Sequence, residues 1–144
     1  MATYEHILIA VDLTQDSETV GQRACKLAKA CGAQLSLLHV VEYVPVDPAG
    51  EAMLPPPVNM EDELVNAARL RLDGLAEKLG ISDCSRYVEI GNIKSELGRI
   101  AKEQAVDLIV LGSRERHGLA LLLGSTEKSV VGSAPCDVLA VRLH

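Results

Sequence analysis

Short, almost wholly apolar segments recur along this chain, separated by stretches with helical spacing, and that alternation limits its fold more than any other feature. Ile7-Leu8-Ile9-Ala10-Val11 and Leu35-Ser36-Leu37-Leu38-His39-Val40-Val41 are rich in branched residues, as expected of strands buried on both faces. Between them Thr14, Asp16 and Ser17 offer N-cap side chains, Val20, Ala24, Leu27 and Cys31 recur at helical spacing, and Gly32 supplies a stop. The pattern repeats. A second helix carries Leu64, Ala68, Leu72, Leu75 and Leu79 on one face and ends at Gly80, and Arg86 to Ile90 reads as a shorter, more polar strand. Asn92 caps a third helix that turns Ile93, Leu97, Ile100 and Ala101 to the core. Asp107-Leu108-Ile109-Val110-Leu111 is another buried strand; a short helix from about Thr126 to Gly132, a Pro135 break and the strand Val138 to Leu143 complete a βαβαβαβαβ order. Strands alternating with helices predict an α/β fold, a doubly wound five-stranded parallel sheet with helices on both faces.

A chain of 144 residues with neither an internal repeat nor a second composition regime is expected to form a single domain over residues 1–144. At 48% hydrophobic residues with no Phe and no Trp, its core must be filled by Leu, Ile, Val and Ala. Aromatic platforms for stacking nucleic-acid bases are nearly absent. The net charge is −6, and Lys and Arg form no cluster beyond the pair Arg114 and Arg116, so neither nucleic acid nor a membrane surface is an expected partner. The N-terminus enters an apolar strand within six residues and no apolar run reaches membrane-spanning length; a cytoplasmic location is expected. Cys25, Cys31, Cys84 and Cys136 show no Cys-x-x-Cys or zinc-ligand spacing and are read as small apolar filler.

Residues 42–59 carry Pro45, Pro48, Gly50 and Pro55-Pro56-Pro57, which excludes a regular helix or a central strand. A loop of this length serves as a lid, a partner-contact segment or a tolerated insertion.

In an open parallel sheet, ligands bind beyond the carboxyl ends of the strands where the winding reverses. Asp12 stands there after the first strand, as a ligand group or as a turn-former capping the helix. Gly112-Ser113-Arg114-Glu115-Arg116-His117-Gly118 follows the fourth strand, and its loop ends at Gly124-Ser125-Thr126, opening a helix. That Gly-Ser-Thr start suits a phosphate, through free N–H groups and the helix dipole, and equally suits an ordinary N-cap. There is no P-loop and no Gly-x-Gly-x-x-Gly after the first strand. His6 and His39 lie within strands and read as core or strand-end residues. His117 has no nucleophile and orienting acid assignable to it, so no catalytic constellation emerges and the chain is read as a non-enzyme.

The segments His6-Ile7-Leu8-Ile9-Ala10-Val11-Asp12, Leu37-Leu38-His39-Val40, Asp107-Leu108-Ile109-Val110-Leu111-Gly112-Ser113, Leu121-Leu122-Leu123-Gly124-Ser125-Thr126 and Ala134-Pro135-Cys136-Asp137-Val138-Leu139-Ala140-Val141 resemble the universal stress protein family over essentially the whole chain. The resemblance implies strand order 3-2-1-4-5 in a Rossmann-like, adenine nucleotide alpha hydrolase-like fold. It also implies a homodimer pairing the last strands, Val138 to Leu143, of two subunits, and a stress-response role exercised through an unidentified protein partner. Many members bind ATP through Gly, two residues, Gly, nine residues, Gly and Ser or Thr. Here Gly112 and Gly124-Ser125 match, whereas Glu115 takes the second glycine position and only eight residues separate it from Gly124. By that resemblance Ala10, Asp12 and Val40 surround base and ribose, and Gly112, Arg114, Gly124, Ser125 and Thr126 surround the phosphates, with any magnesium carried on them. A carboxylate near a phosphate repels it by about 1 kcal/mol in bulk water and about 4 kcal/mol near a protein surface at about 4 Å. Weak or absent ATP binding is therefore the leading expectation, and an ATP-binding switch with at most slow hydrolysis the alternative.

Overall fold

A computed structural model describes residues 3–42, 60–114, 130 and 132–143. The elements run β1 (His6–Ala10), α1 (Asp16–Cys31), β2 (Gln34–Val41), α2 (Met60–Leu79), β3 (Ser85–Ile90), α3 (Ile93–Glu103), β4 (Leu108–Arg114) and β5 (Asp137–Leu143). The five strands form one sheet in the order β3-β2-β1-β4-β5, and every neighbouring pair is parallel, as the family resemblance implies.

Side chains alternate across a strand with a period of two, and the apolar runs use both sets. Ile7, Ile9, Leu37, Leu108 and Val110 meet Val20, Ala24, Ala28, Ala68, Leu72 and Leu75 of α1 and α2 on one face. Leu8, Leu38, Val40, Ile109 and Leu111 meet Leu97, Ile100 and Ala101 of α3, with Val130, on the other. A strand that must be apolar on both sides cannot show the alternation of a half-exposed one. This is why the runs are continuous in sequence.

The helix boundaries follow local chemistry. Gly32 adopts φ 70 at the C-cap of α1, a left-handed conformation that glycine takes without a Cβ penalty. Asn92 caps α3 as expected, its side chain accepting from the Ser95 N–H at 3.1 Å. At α1, in contrast, the cap position is Gln15, with no side-chain cap bond. The expected caps are otherwise engaged: the Thr14 and Ser17 hydroxyls both turn back to Asp12. Close packing of α1 on α2 depends on Gly21, where an added Cβ would collide with the Leu79 side chain.

Two further expectations need correction. Leu64 is 36% exposed, because the apolar stripe of α2 runs a turn past its buried residues Ala68, Leu72, Leu75 and Ala76. Gly112, Ser113 and Arg114 are not loop: β4 continues through them, paired with Val141, Arg142 and Leu143 of β5. The extended partner strand carries the ladder three residues past the apolar run that marks β4 in sequence. Of the expected loop over 42–59 only Glu42 is described, and of the short helix near 126–132 only residues 130 and 132 are, both helical.

Candidate functional site

The turn that leaves β1 is tied to two other elements. The Val11 N–H donates to the Leu38 carbonyl at 2.9 Å, and the Val11 carbonyl accepts from Nδ1 of His39 at 2.8 Å. A carbonyl can only accept, so Nδ1 of His39 carries the proton. Leu13 is buried at φ 62, a left-handed conformation costly for a branched side chain. Its carbonyl accepts from Arg71 on α2. The β1–α1 turn is thereby pinned from β2 through His39 and from α2 through Arg71.

The pinned turn orients Asp12. Its Oδ1 accepts from the Thr14 N–H at 3.0 Å, the Thr14 hydroxyl at 2.7 Å and the Ser17 hydroxyl at 3.1 Å. Partial burial works to raise its carboxyl pKa, but these hydrogen bonds to the charged form outweigh it and hold the group below the usual carboxylate range. All three bonds fall on one oxygen, so the side chain is fixed as an anion in a set orientation.

Across the end of the sheet, the Gly91 N–H donates to the Val41 carbonyl at 3.0 Å with Gly91 at φ 145, a conformation that favours glycine. Oε2 of Glu42 accepts from the Ile93 N–H at 3.1 Å. Glu42 therefore satisfies a free donor at the start of α3, beside the Asn92 cap.

Between these structures, at the carboxyl ends of β1, β2 and β4, lies a cleft of about 330 Å³, within the range of small-ligand sites. Ala10, Asp12, Val40 and Gly112 line it, as do His39 and Glu42. The first four come from the expected site. Gly112 also has a packing reason to be glycine, since a Cβ there would lie 2.7 Å from Leu143 Cδ1 and 3.1 Å from Val20 Cγ2. Arg114 ends β4 in register with Leu143; its side chain, with Gly124, Ser125 and Thr126, lies outside the described residues, as do Glu115 and His117. Sequence reasoning missed His39 and Glu42 as cleft residues. From sequence His39 reads as a core or strand-end residue, because a side-chain bond to the backbone beyond another strand leaves no spacing signal. His6 does behave as a satisfied strand residue: it is buried, its Nδ1 donates to the Gln104 carbonyl at 2.9 Å, and its Nε2 accepts from the Ser36 hydroxyl at 2.6 Å.

Among the described residues, no group of three or more His, Cys, Asp or Glu side chains is placed to hold a metal ion, and no helix is long and apolar enough to cross a membrane. The cysteines are unpaired thiols, and burial pushes those of Cys25, Cys84 and Cys136 up, which disfavours the reactive thiolate.

A five-stranded parallel sheet in this order, covered on both faces and with a cleft at its carboxyl end, defines a doubly wound, Rossmann-like α/β protein. Residues 3–142 match the model of the universal stress protein family. The chain is 39% identical to universal stress protein A homolog 2 of Coxiella burnetii over 144 residues, covering 99% of this chain and 98% of the relative. Among solved structures it is similar to the universal stress protein UspA from Lactobacillus plantarum, at 29% identity and a TM-score of 0.70, covering 99% of this chain and 100% of that one. The universal stress protein from Archaeoglobus fulgidus in complex with dAMP shares the fold, at 19% identity and a TM-score of 0.65, over 96% of this chain and 98% of that one. The chain belongs to the universal stress protein family.

Proposed function

We propose that this protein is a cytoplasmic stress-response factor that acts by binding rather than catalysis, and that its cleft takes the nucleoside end of an adenine nucleotide. The observation that carries the reading is the convergence of Ala10, Asp12, Val40 and Gly112 on one cleft of about 330 Å³ at the carboxyl end of the sheet. These residues come from three strand ends far apart in sequence. The fixed, ionised Asp12 is a hydrogen-bond acceptor suited to a ribose hydroxyl, and the apolar Ala10 and Val40 suit the faces of a base. A relative of the same fold is described in complex with dAMP, which supports the same ligand class. In this reading Arg114, Gly124, Ser125 and Thr126 serve the phosphates, with magnesium carried on them, and the Glu115 carboxylate weakens affinity for the triphosphate.

The test is calorimetric titration of ATP with magnesium into nucleotide-stripped protein and into Glu115→Gly. Binding by the unaltered protein, tightened in Glu115→Gly and abolished by Gly124→Asp, is the expected result. Absence of binding by both the unaltered protein and Glu115→Gly overturns the nucleotide reading.

A second reading concerns assembly and complements the first. β5 pairs with β4 on one side and forms an edge of the sheet, while Val138, Leu139, Ala140 and Leu143 are only partly buried. An apolar edge strand is a template for pairing with another chain. This supports a homodimer through Val138 to Leu143, and with it an action through protein contacts.

A further inference from the structure

His39 occupies a position with two consequences. Its Nδ1–H is committed to the Val11 carbonyl at 2.8 Å, and its half-buried ring forms part of the cleft wall. With Nδ1 protonated, the neutral ring has its second nitrogen, Nε2, free of a proton. A proton taken from solvent therefore goes onto Nε2 and leaves the bond to Val11 intact. Protonation changes the charge of the wall without releasing the turn that holds Asp12.

The surrounding charges make that change matter. The other ionisable side chains on the described wall are the carboxylates of Asp12, Asp16 and Glu42. Asp12 and Asp16 face the cleft from the β1–α1 turn and the start of α1, and Glu42 from the end of β2. Asp12 is held below the usual carboxylate range and stays ionised through the neutral region. A wall of this composition disfavours an anion. Imidazole is the side chain whose charge changes between about pH 5 and 8, so His39 is the group on this wall suited to altering that balance.

We propose that His39 is a specificity-determining residue of the cleft: its protonation favours a nucleoside phosphate over the uncharged nucleoside. The proposal rests on the reading of the cleft as a nucleotide site and adds a selection by ligand charge. A unit charge gained on the wall of a partly screened cleft changes affinity for an anion held in the same cleft by roughly threefold to tenfold.

The experiment uses two probes of constant charge. Cyclic AMP carries one phosphodiester charge throughout this range, and adenosine carries none. In the unaltered chain, the affinity for cyclic AMP should rise roughly threefold to tenfold between about pH 8 and about pH 6, while that for adenosine stays level or falls. In His39→Gln the rise should vanish, whatever the absolute affinity. A flat cyclic AMP profile in the unaltered protein, or the same rise in His39→Gln, overturns the proposal.

A measurement on the ligand-free protein separates this inference from the nucleotide reading. The backbone amide signals of Asp12, Thr14 and Ser17 should follow the His39 ring titration in the NMR spectrum and lose that inflection in His39→Gln. The ring should keep its Nδ1 proton throughout. Amides that ignore the ring overturn the assignment of His39 even if nucleotides bind. Failure of both probes to bind at every pH, with the amides still following the ring, overturns the selection of ligand together with the nucleotide reading and leaves only the electrostatic link between His39 and the turn.

Discussion

Gly112 and Leu143 are packed so closely across the β4–β5 pair that a Cβ on Gly112 would stand 2.7 Å from Leu143 Cδ1. Val20 closes the other side at 3.1 Å. The glycine thus joins the cleft to the edge strand: its missing side chain lets Leu143 and α1 approach the end of β4. Gly112→Ala is expected to cost about 1–2 kcal/mol through overpacking. Chemical denaturation should show the loss, and adding Leu143→Ala should remove part of the alanine penalty, because the two substitutions share a contact. Strict additivity would mean that Leu143 simply rotates away.

Asp12 leads to a pH prediction. Its folded carboxyl is held below the unfolded value, so the folded state releases this proton more readily. The stabilisation is present above the unfolded pKa and is lost as pH falls through the folded one. Asp12→Asn should therefore lower the urea midpoint at pH 7, and the difference from the unaltered protein should shrink at about pH 3, below the ordinary Asp pKa of about 3.9. A constant difference at both pH values would rule out the carboxylate as its source.

The start of α3 is held by two side chains, Asn92 on the Ser95 N–H and Glu42 on the Ile93 N–H. Asn92→Ala should cost about 1 kcal/mol, a fall of about 2–4 °C in Tm for a domain of this size. Glu42→Gln should cost less, since the amide oxygen still accepts the bond but lacks the charge that favours a helix N-terminus. A larger loss from Glu42→Gln than from Asn92→Ala would reverse the assigned roles.

The edge strand supplies an assembly prediction. Light scattering at micromolar concentration should give the mass of a dimer, and the β5 backbone amides should exchange faster on dilution to monomer. A monomeric mass with concentration-independent exchange would remove the dimer proposal.

Much of the fold is readable from particular residues. The runs Ile7 to Val11 and Leu108 to Leu111 are apolar at consecutive positions, which a strand tolerates only when both faces are covered. Gly32 and Asn92 mark helix ends because each meets a local need, for a left-handed residue at one and for a side-chain acceptor at the other. Where the structure departs from the local reading, a competing contact prevailed, near in sequence at one place and distant at the other. Thr14 and Ser17 look like caps, yet their hydroxyls serve Asp12; Gly112 to Arg114 look like loop, yet β5 pairs with them. Of the residues that line the cleft, Asp12 and Gly112 stand where strand ends place them in the sequence, Ala10 and Val40 come from the family resemblance, and His39 follows from neither.

By itself the sequence determined the α/β class and the ends of most elements, because hydrophobic period, glycine conformation and capping act over a few neighbouring residues. It also carried the family, through motifs spread along the chain. Only the tertiary structure decided that His39 and Arg71 hold the β1–α1 turn, that Glu42 caps a helix distant in sequence, and that Gly112 is a packing glycine as well as a cleft residue. The physical reason is common to all three. A side-chain bond to backbone, or a close approach between elements, depends on which surfaces the sheet order brings together, and no local periodicity encodes that.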